Sequence, residues 1–160
     1  MNVISVDNFL SSRECDFFIN YYKKYYDEKK SYAESYNDTY TLILPWTPFF
    51  HFRQLMLRLR CAKKVLELKS TINLNYDQLV LWPPHSSKDM HKDVSYKRPT
   101  DWTSVCYLND DFSGGRTLIE DTAIDPLKGK MVLFNSSNLS HGVEEVYEGY
   151  RYTYISWWGE

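Results

Sequence analysis

The feature that most constrains the fold is a change of pattern near residue 70. Beyond it the chain becomes a series of short apolar segments rich in β-branched and aromatic residues, each bounded by turn-forming residues such as Pro83-Pro84 and Ser113-Gly114-Gly115. The predicted strands span residues 72–76, 78–82, 103–108, 117–120, 130–134, 142–146 and 150–157. Many short strands at this spacing predict a sandwich or barrel rather than alternating βαβ units.

The first 70 residues differ and predict a helical support region. After a short strand at residues 3–6, Ser11 and Glu14 have the spacing of a capping box, so a helix should begin there. Apolar residues at helical spacing predict a second helix over residues 49–69, whose basic residues, Arg58 among them, should form a solvated face. Residues 29–46 have no clean period and predict a loop or lid with one short strand at residues 40–44.

The aromatic content is 17%, and seven of the fourteen tyrosines fall between Tyr21 and Tyr40. Tyrosine has an apolar body and a polar tip, which suits a half-wet surface. We expect this cluster to pack between a helix and a sheet, and a substrate groove is the alternative. Both predicted helices should lie outside one sheet.

Composition limits the partners and the compartment. A chain of 160 residues fits one domain, and a net charge of -2 gives no basic footprint, so no nucleic-acid partner is expected. No stretch approaches the roughly 18–20 apolar residues of a membrane span. Three widely separated cysteines and an N-terminus without a signal-peptide pattern predict a reducing, cytoplasmic location. Nothing in the sequence indicates the oligomeric state.

A possible metal site is centred on the segment His91-Lys92-Asp93. On an extended strand, residues i and i+2 point to the same side, so this imidazole and carboxylate can reach one ion. His141 would supply the third ligand from another strand. Two histidines and one carboxylate on one face of an octahedral iron leave three positions open. The H-x-D tripeptide alone is weak evidence, because a surface histidine beside an aspartate is usually just solvated.

The blocks around this segment resemble the catalytic half of the prolyl 4-hydroxylase-like Fe(II)/2-oxoglutarate oxygenases. Seven sequence blocks occur in the same order as in that family: L-V-L-W-P-P, H-K-D, V-C-Y-L-N-D-D-F, G-G-R-T, P-L-K-G-K-M-V-L-F, S-H-G-V-E-E-V and G-Y-R-Y-T-Y. The opening V-D-N-F-L-S-S-R-E-C also resembles the family's first strand and helix, whereas residues 28–70 match nothing. The resemblance implies a mainly β fold with flanking helices: a double-stranded β-helix (jelly-roll, cupin-like) core with N-terminal helices packed on one sheet.

The resemblance also implies the roles of individual residues. His91, Asp93 and His141 would bind iron(II) and form the catalytic centre, and Arg151 would pair with the C5 carboxylate of 2-oxoglutarate. A planar guanidinium can hold a carboxylate through two parallel hydrogen bonds, which lysine cannot do. The alternative for Arg151 is a surface ion pair with Glu144 or Glu145.

Further residues are expected in the co-substrate pocket. Thr153 shares a strand face with Arg151 and could donate a third bond, while Thr117 and Tyr107 are weaker candidates. The chain departs from prolyl 4-hydroxylases at Arg151, where they typically carry lysine, and at Trp82, where they carry a co-substrate-binding tyrosine. The indole N–H of Trp82 would either replace that contact or leave the ring as a wall. Both departures put prolyl specificity in doubt.

A hairpin loop at residues 147–149 gives a local geometric expectation. Gly149 can take the left-handed conformation that a three-residue loop needs. Arg151 would then lie across from Glu145, on the same face as His141, with the co-substrate between them.

The resemblance implies a single dioxygenase domain over residues 1–160, with 1–70 as helical support and 71–160 as the catalytic jelly roll. Its expected cofactor and co-substrates are iron(II), 2-oxoglutarate and O2, with ascorbate as a candidate reductant. The expected reaction hydroxylates an unactivated C–H bond, first of all in a peptidyl residue such as proline, and releases succinate and CO2. The alternatives are hydroxylation of a free amino acid or other small molecule, and a non-catalytic jelly-roll binding protein.

Overall fold

A computed structural model describes residues 2–30, 33–36, 38–45, 48–93 and 100–160 of the chain, without the side chains of residues 36 and 48–50. The two helices are α1 (Ser12–Tyr25) and α2 (Pro48–Leu68). The strands are β1 (Val3–Val6), β2 (Ala33–Tyr36), β3 (Thr39–Ile43), β4 (Asn73–Trp82), β5 (Lys88–His91), β6 (Trp102–Tyr107), β7 (Ser113–Gly114), β8 (Thr117–Ile119), β9 (Thr122–Ile124), β10 (Met131–Phe134), β11 (His141–Val143), β12 (Val146–Glu148) and β13 (Arg151–Gly159). None of the helices in these described ranges is long and apolar enough to cross a membrane.

The strands form two main antiparallel sheets. The larger has seven strands in the order β1-β10-β6-β13-β4-β3-β2, and the smaller has four in the order β5-β11-β8-β9. A short pair, β12-β7, completes the arrangement. The predicted jelly roll is therefore confirmed.

The helices cover one face of the seven-stranded sheet. Because side chains alternate along a strand, Tyr154 and Trp158 of β13 point towards the helices while Arg151 and Ile155 point away. The helix-facing core contains Cys15, Phe18, Tyr21, Tyr22, Cys61, Val65, Leu79, Cys106, Leu108, Met131, Leu133, Tyr154 and Trp158. The packing interpretation of the tyrosine cluster therefore holds for Tyr21 and Tyr22, which are both buried.

A second core fills the space on the other face of the seven-stranded sheet. It contains Val80, Trp82, Val105, Tyr107, Ile119, Val132, Phe134, Val146 and Ile155. This core includes residues from strands that also carry predicted site residues, so the predicted site lies beside apolar side chains.

Two interpretations of the N-terminal region are corrected by the structure. Residues 29–46 contain two strands rather than one, since β2 pairs with β3 and β3 pairs with β4. The pairing of β3 with β4 is non-local, and the short polar segment showed no periodic signal of its own. Arg58 does not face solvent: it is fully buried, and its Nε donates to Asp77 Oδ2 at 2.7 Å. The partner carboxylate comes from β4, which the helix pattern could not reveal.

Residues 73–82 form the single strand β4, where two strands, 72–76 and 78–82, were predicted. It pairs with β13 over its length, with one bulge at which Trp157 faces Tyr76 and Trp158 faces Leu74, so that Asn75 of β4 is the extra residue. The capping box of α1 is present, with the Ser11 N–H donating to the Glu14 carboxylate at 2.7 Å.

The predicted register of the last hairpin is wrong. Gly149 does adopt the left-handed conformation, with φ of 80°. Arg151, however, pairs with Trp82 of β4 and not with Glu145. The short loop joins strands of different sheets, because β12 pairs with β7 whereas β13 enters the seven-stranded sheet.

Candidate active site

Two strands of the smaller sheet bring the candidate metal ligands together. His91 ends β5 and His141 begins β11, and the two residues are direct cross-strand partners. Asp93 lies just beyond β5 rather than within it, with its backbone N–H donating to the Ser136 carbonyl at 2.9 Å. Nε2 of His91 and Nε2 of His141 each lie 3.7 Å from Asp93 Oδ1. Two ligands at about 2.1 Å from one ion can be at most about 4.2 Å apart, so these atoms can share a metal.

Backbone carbonyls fix the tautomers of both histidines. Nδ1 of His91 lies 2.8 Å from the Asp89 carbonyl oxygen, and Nδ1 of His141 lies 3.2 Å from that of Leu139. A carbonyl only accepts, so each Nδ1 carries the proton and each Nε2 keeps its lone pair for a metal. Burial lowers the pKa of His141, which also favours the neutral imidazole that a metal requires.

Arg151, the predicted partner of the co-substrate, is almost fully buried, with 1% of its surface exposed. Its Nη2 donates to Thr117 Oγ1 at 3.2 Å, and the Tyr107 hydroxyl donates to the same oxygen at 2.6 Å. The guanidinium lies over the ring of Trp82, 4.9 Å from its centroid. Gly115 leaves room for the arginine stem, since a Cβ there would meet Arg151 Cδ at 3.0 Å.

The guanidinium of Arg151 does not use all of its hydrogen-bond donors. Its Nε and Nη1 are buried and have no hydrogen-bond partner. Desolvation of this buried cation lowers the pKa of Arg151. The alternative of a surface ion pair is wrong, since Glu144 pairs with Arg116 at 2.7 Å and Glu145 with His85 at 3.0 Å. A buried cation with two vacant donors fits a carboxylate that approaches from the cavity.

The other predicted pocket residues divide into two groups. Trp82 and Thr117 line the cavity together with Arg151. Thr153 and Tyr107 are completely buried behind it, and Thr153 Oγ1 accepts the Trp82 indole N–H at 3.3 Å. The donor of Trp82 is therefore directed to the protein, and its ring faces the guanidinium.

One cavity of about 420 Å³ joins the three metal-ligand candidates to Arg151. Its walls are partly apolar, with contributions from Val80, Val105, Phe134 and Ile155. Its size lies within the range of about 300–1,000 Å³ that is usual for small-molecule sites.

The sequence matches the family model described as the 2OG-Fe(II) oxygenase superfamily over residues 78–159. The chain belongs to this superfamily. The metal and co-substrate of this 2OG-Fe(II) oxygenase are therefore iron(II) and 2-oxoglutarate, and the His-Asp-His group and the vacant donors of Arg151 fit them.

Solved structures share the fold of this oxygenase. The viral collagen prolyl hydroxylase of Paramecium bursaria Chlorella virus-1, in complex with 2-oxoglutarate, is 21% identical with a TM-score of 0.73, covering 99% of this chain and 95% of that one. A Trichoplax adhaerens prolyl hydroxylase in complex with a hypoxia inducible factor peptide fragment is 18% identical with a TM-score of 0.76, and the match covers 98% of this chain and 83% of that one. HygX from Streptomyces hygroscopicus, with nickel and 2-oxoglutarate bound, is 14% identical with a TM-score of 0.70, and the match covers 99% of this chain and 82% of that one. A search of curated proteins found no match.

The sequence interpretation missed the side chains that surround the Asp93 carboxylate of this oxygenase. The Thr103 hydroxyl and the Trp157 indole N–H both donate to Asp93 Oδ2, at 2.7 and 3.1 Å. Alternation along β6 could have indicated Thr103, because it lies on the same face as Tyr107.

Proposed function

We propose that this chain is a hydroxylase in which His91, Asp93 and His141 bind iron(II) and Arg151 binds the C5 carboxylate of 2-oxoglutarate. The observation that carries the proposal is the buried guanidinium of Arg151, whose two vacant donors share one cavity with the His-Asp-His group. A buried cation is costly without a counter-charge, so a site of this kind is arranged for an anion.

Each group of residues then has a defined task. The two Nε2 atoms and Asp93 Oδ1 would hold the ion, and three protein ligands would leave room for the co-substrate and O2. Tyr107 and Thr117 would orient the guanidinium of Arg151, whose unpaired Nη1 would donate to the far carboxylate of the co-substrate. The apolar walls at Val105 and Phe134 exclude water. When bound, iron(II) with 2-oxoglutarate and O2 supplies the chemistry that releases succinate and CO2 and hydroxylates a C–H bond.

We propose a peptidyl residue, with proline first, as the substrate. Two of the structural relatives are named as prolyl hydroxylases, and one of these was solved with a peptide fragment. The cavity also reaches the edge hairpin, where Glu34, Thr39 and Thr41 contribute to its lining. A cavity that extends to a sheet edge is suited to a chain that continues beyond the reacting residue.

The metal and co-substrate assignment is tested with purified protein under anaerobic conditions. Addition of iron(II) and 2-oxoglutarate should give the weak visible charge-transfer band of a chelated keto acid, and Asp93→Ala should abolish it. Asp89→Ala is the matched control, because Asp89 precedes the site on the same strand and takes part through its backbone carbonyl. Failure of the band to form in the wild-type protein at saturating concentrations would contradict the assignment.

Measuring succinate formation with different substrates distinguishes a peptide substrate from a free amino acid. A proline-rich peptide should raise succinate formation above the uncoupled background, and mass spectrometry should find an added 16 Da on the peptide. His91→Ala and His141→Ala should each abolish this product. Stimulation by free amino acids but not by peptides would overturn the substrate proposal while leaving the metal assignment intact.

A further inference from the structure

The outer oxygen of Asp93 is held by two donors from the seven-stranded sheet. Thr103 Oγ1 lies 2.7 Å and Trp157 Nε1 lies 3.1 Å from Asp93 Oδ2. Neither bond involves Oδ1, the oxygen that faces both histidines at 3.7 Å. The two oxygens of this carboxylate therefore have different surroundings.

A second hydroxyl determines the direction of these bonds. The hydroxyls of Thr103 and Ser136 lie 2.8 Å apart. An ionised carboxylate has no proton to give, so Thr103 donates its only proton to Asp93 and must accept one from Ser136. The Ser136 carbonyl also accepts the Asp93 backbone N–H at 2.9 Å. Ser136 thus supports both the main chain and the side chain of Asp93.

The two donors are placed by strand register. Thr103 of β6 and Trp157 of β13 are direct cross-strand partners, so their side chains lie next to each other on one face of the sheet. On the other side of β13, Tyr76 is the partner of Trp157, and the two rings stack with centroids 4.5 Å apart and planes 13° apart. The indole is therefore held in the orientation that directs its N–H to Asp93.

We propose that Thr103 and Trp157 are positioning residues that keep Asp93 monodentate, with Oδ1 as its only atom facing the metal. The inference rests on the proposed function, in which Asp93 is an iron ligand. A carboxylate with both oxygens free can chelate an ion and occupy two positions. Two charge-assisted hydrogen bonds on Oδ2 oppose that rotation and keep a coordination position vacant.

The test uses variants that remove one donor and preserve shape. Trp157→Phe keeps an aromatic ring against Tyr76 but loses the N–H, and Thr103→Val keeps the β-branched shape but loses the hydroxyl. Thr103→Ser should restore binding, since it retains the donor. Trp158→Phe is the matched control: the neighbouring indole also donates to a hydroxyl, Ser104 Oγ at 3.0 Å, but it faces the helix-covered core.

The readouts are the affinity for cobalt(II) as a redox-stable probe, measured by titration calorimetry, and the cobalt visible spectrum. Loss of either donor should weaken cobalt binding by about 10- to 100-fold, as is usual for groups that orient a metal ligand. A spectrum with changed band intensities should accompany it, because a chelating Asp93 alters the coordination. Trp158→Phe should lower thermal stability and leave cobalt affinity within about twofold of wild type.

The outcomes separate this inference from the proposed function. Wild-type affinity and spectrum in both Trp157→Phe and Thr103→Val would overturn the positioning role, while the wild-type protein still binds cobalt. Equal weakening in Trp158→Phe would also overturn it, by assigning the effect to general stability. If the wild-type protein itself bound no cobalt, the metal assignment would fail, and the positioning role with it.

Discussion

Replacing Arg151 with methionine should have opposite effects on the free and the co-substrate-bound protein. The guanidinium is almost fully buried, and its Nε and Nη1 have no hydrogen-bond partner. An apolar side chain of similar length removes this desolvated charge, so the free protein should become more stable. The same substitution removes the donors for 2-oxoglutarate, so binding should be lost.

The expected loss of 2-oxoglutarate affinity follows from the number of hydrogen bonds that Arg151 would donate to the co-substrate. Two charge-assisted hydrogen bonds contribute about 1.5–3 kcal/mol each, or about 3–6 kcal/mol together. At about 1.4 kcal/mol per tenfold change, the Kd for 2-oxoglutarate should rise by about 10²- to 10⁴-fold. Replacing a buried charge with a packed apolar group typically stabilises by about 1–4 kcal/mol, which sets the gain for the free protein.

Urea unfolding with a bound redox-inert divalent metal, with and without 2-oxoglutarate, measures both effects. At a co-substrate concentration of about 100 times the wild-type Kd, the wild-type protein should gain about 2.7 kcal/mol, and Arg151→Met should gain no more than about 0.4 kcal/mol. Arg116→Met is the control, because that arginine is exposed and pairs with Glu144. An Arg151→Met protein that is less stable when free and still binds 2-oxoglutarate within a few-fold would refute the reasoning.

Three further predictions concern other groups. Asp77→Asn should lower the unfolding free energy by about 3–5 kcal/mol by leaving the buried charge of Arg58 without its counter-charge. Arg58→Met combined with Asp77→Leu should recover part of that loss, since the buried Tyr154 hydroxyl also loses its acceptor; equal losses for the two proteins in urea unfolding would contradict this. Burial raises the pKa of Cys15 to about 11 and of Cys61 to about 12 from 9.0, so only the unfolded chain releases these protons at pH 10. These two thiols should therefore lower the unfolding free energy by about 3 kcal/mol between pH 8 and 10, and buried Cys106, whose pKa is also raised, should add to the fall; a flat profile would exclude the mechanism. Tyr107→Phe should raise the Kd for 2-oxoglutarate about fivefold by removing the bond to Thr117, and unchanged calorimetric binding would dismiss that role.

The β-rich half of the fold could be predicted because its signals are local. Alternation and turn residues located most of its strands, although the two strands predicted within residues 72–82 proved to be one, β4 (Asn73–Trp82). The hairpin β2-β3 could not be found in this way, since its sequence shows no clear alternation and β3 joins the sheet through its non-local pairing with β4. The Arg58–Asp77 pair was hidden for the same reason, as its two members lie 19 positions apart on different elements.

The candidate site shows the same division. The H-x-D segment and the position of Arg151 could be read from the sequence through the family blocks, and the structure brings them to one cavity. The relation between Arg151 and Glu145 was wrong because a short loop does not guarantee a hairpin in a jelly roll. In this fold, neighbouring strands in the chain can belong to different sheets, and only the whole topology decides which partner a strand takes.

The spacing of the site depends on β13 more than on any other strand. Arg151 and Trp157 lie on its site-facing side, six residues and therefore about 20 Å apart along an extended strand. A slip of one residue would turn both towards the helices. The opposite face resists such a slip, since Tyr154 donates to Asp77 at 2.7 Å and Trp158 donates to Ser104 at 3.0 Å. The buried ion pair beneath α2 therefore helps to hold the strand that orients both the co-substrate arginine and the tryptophan beside Asp93.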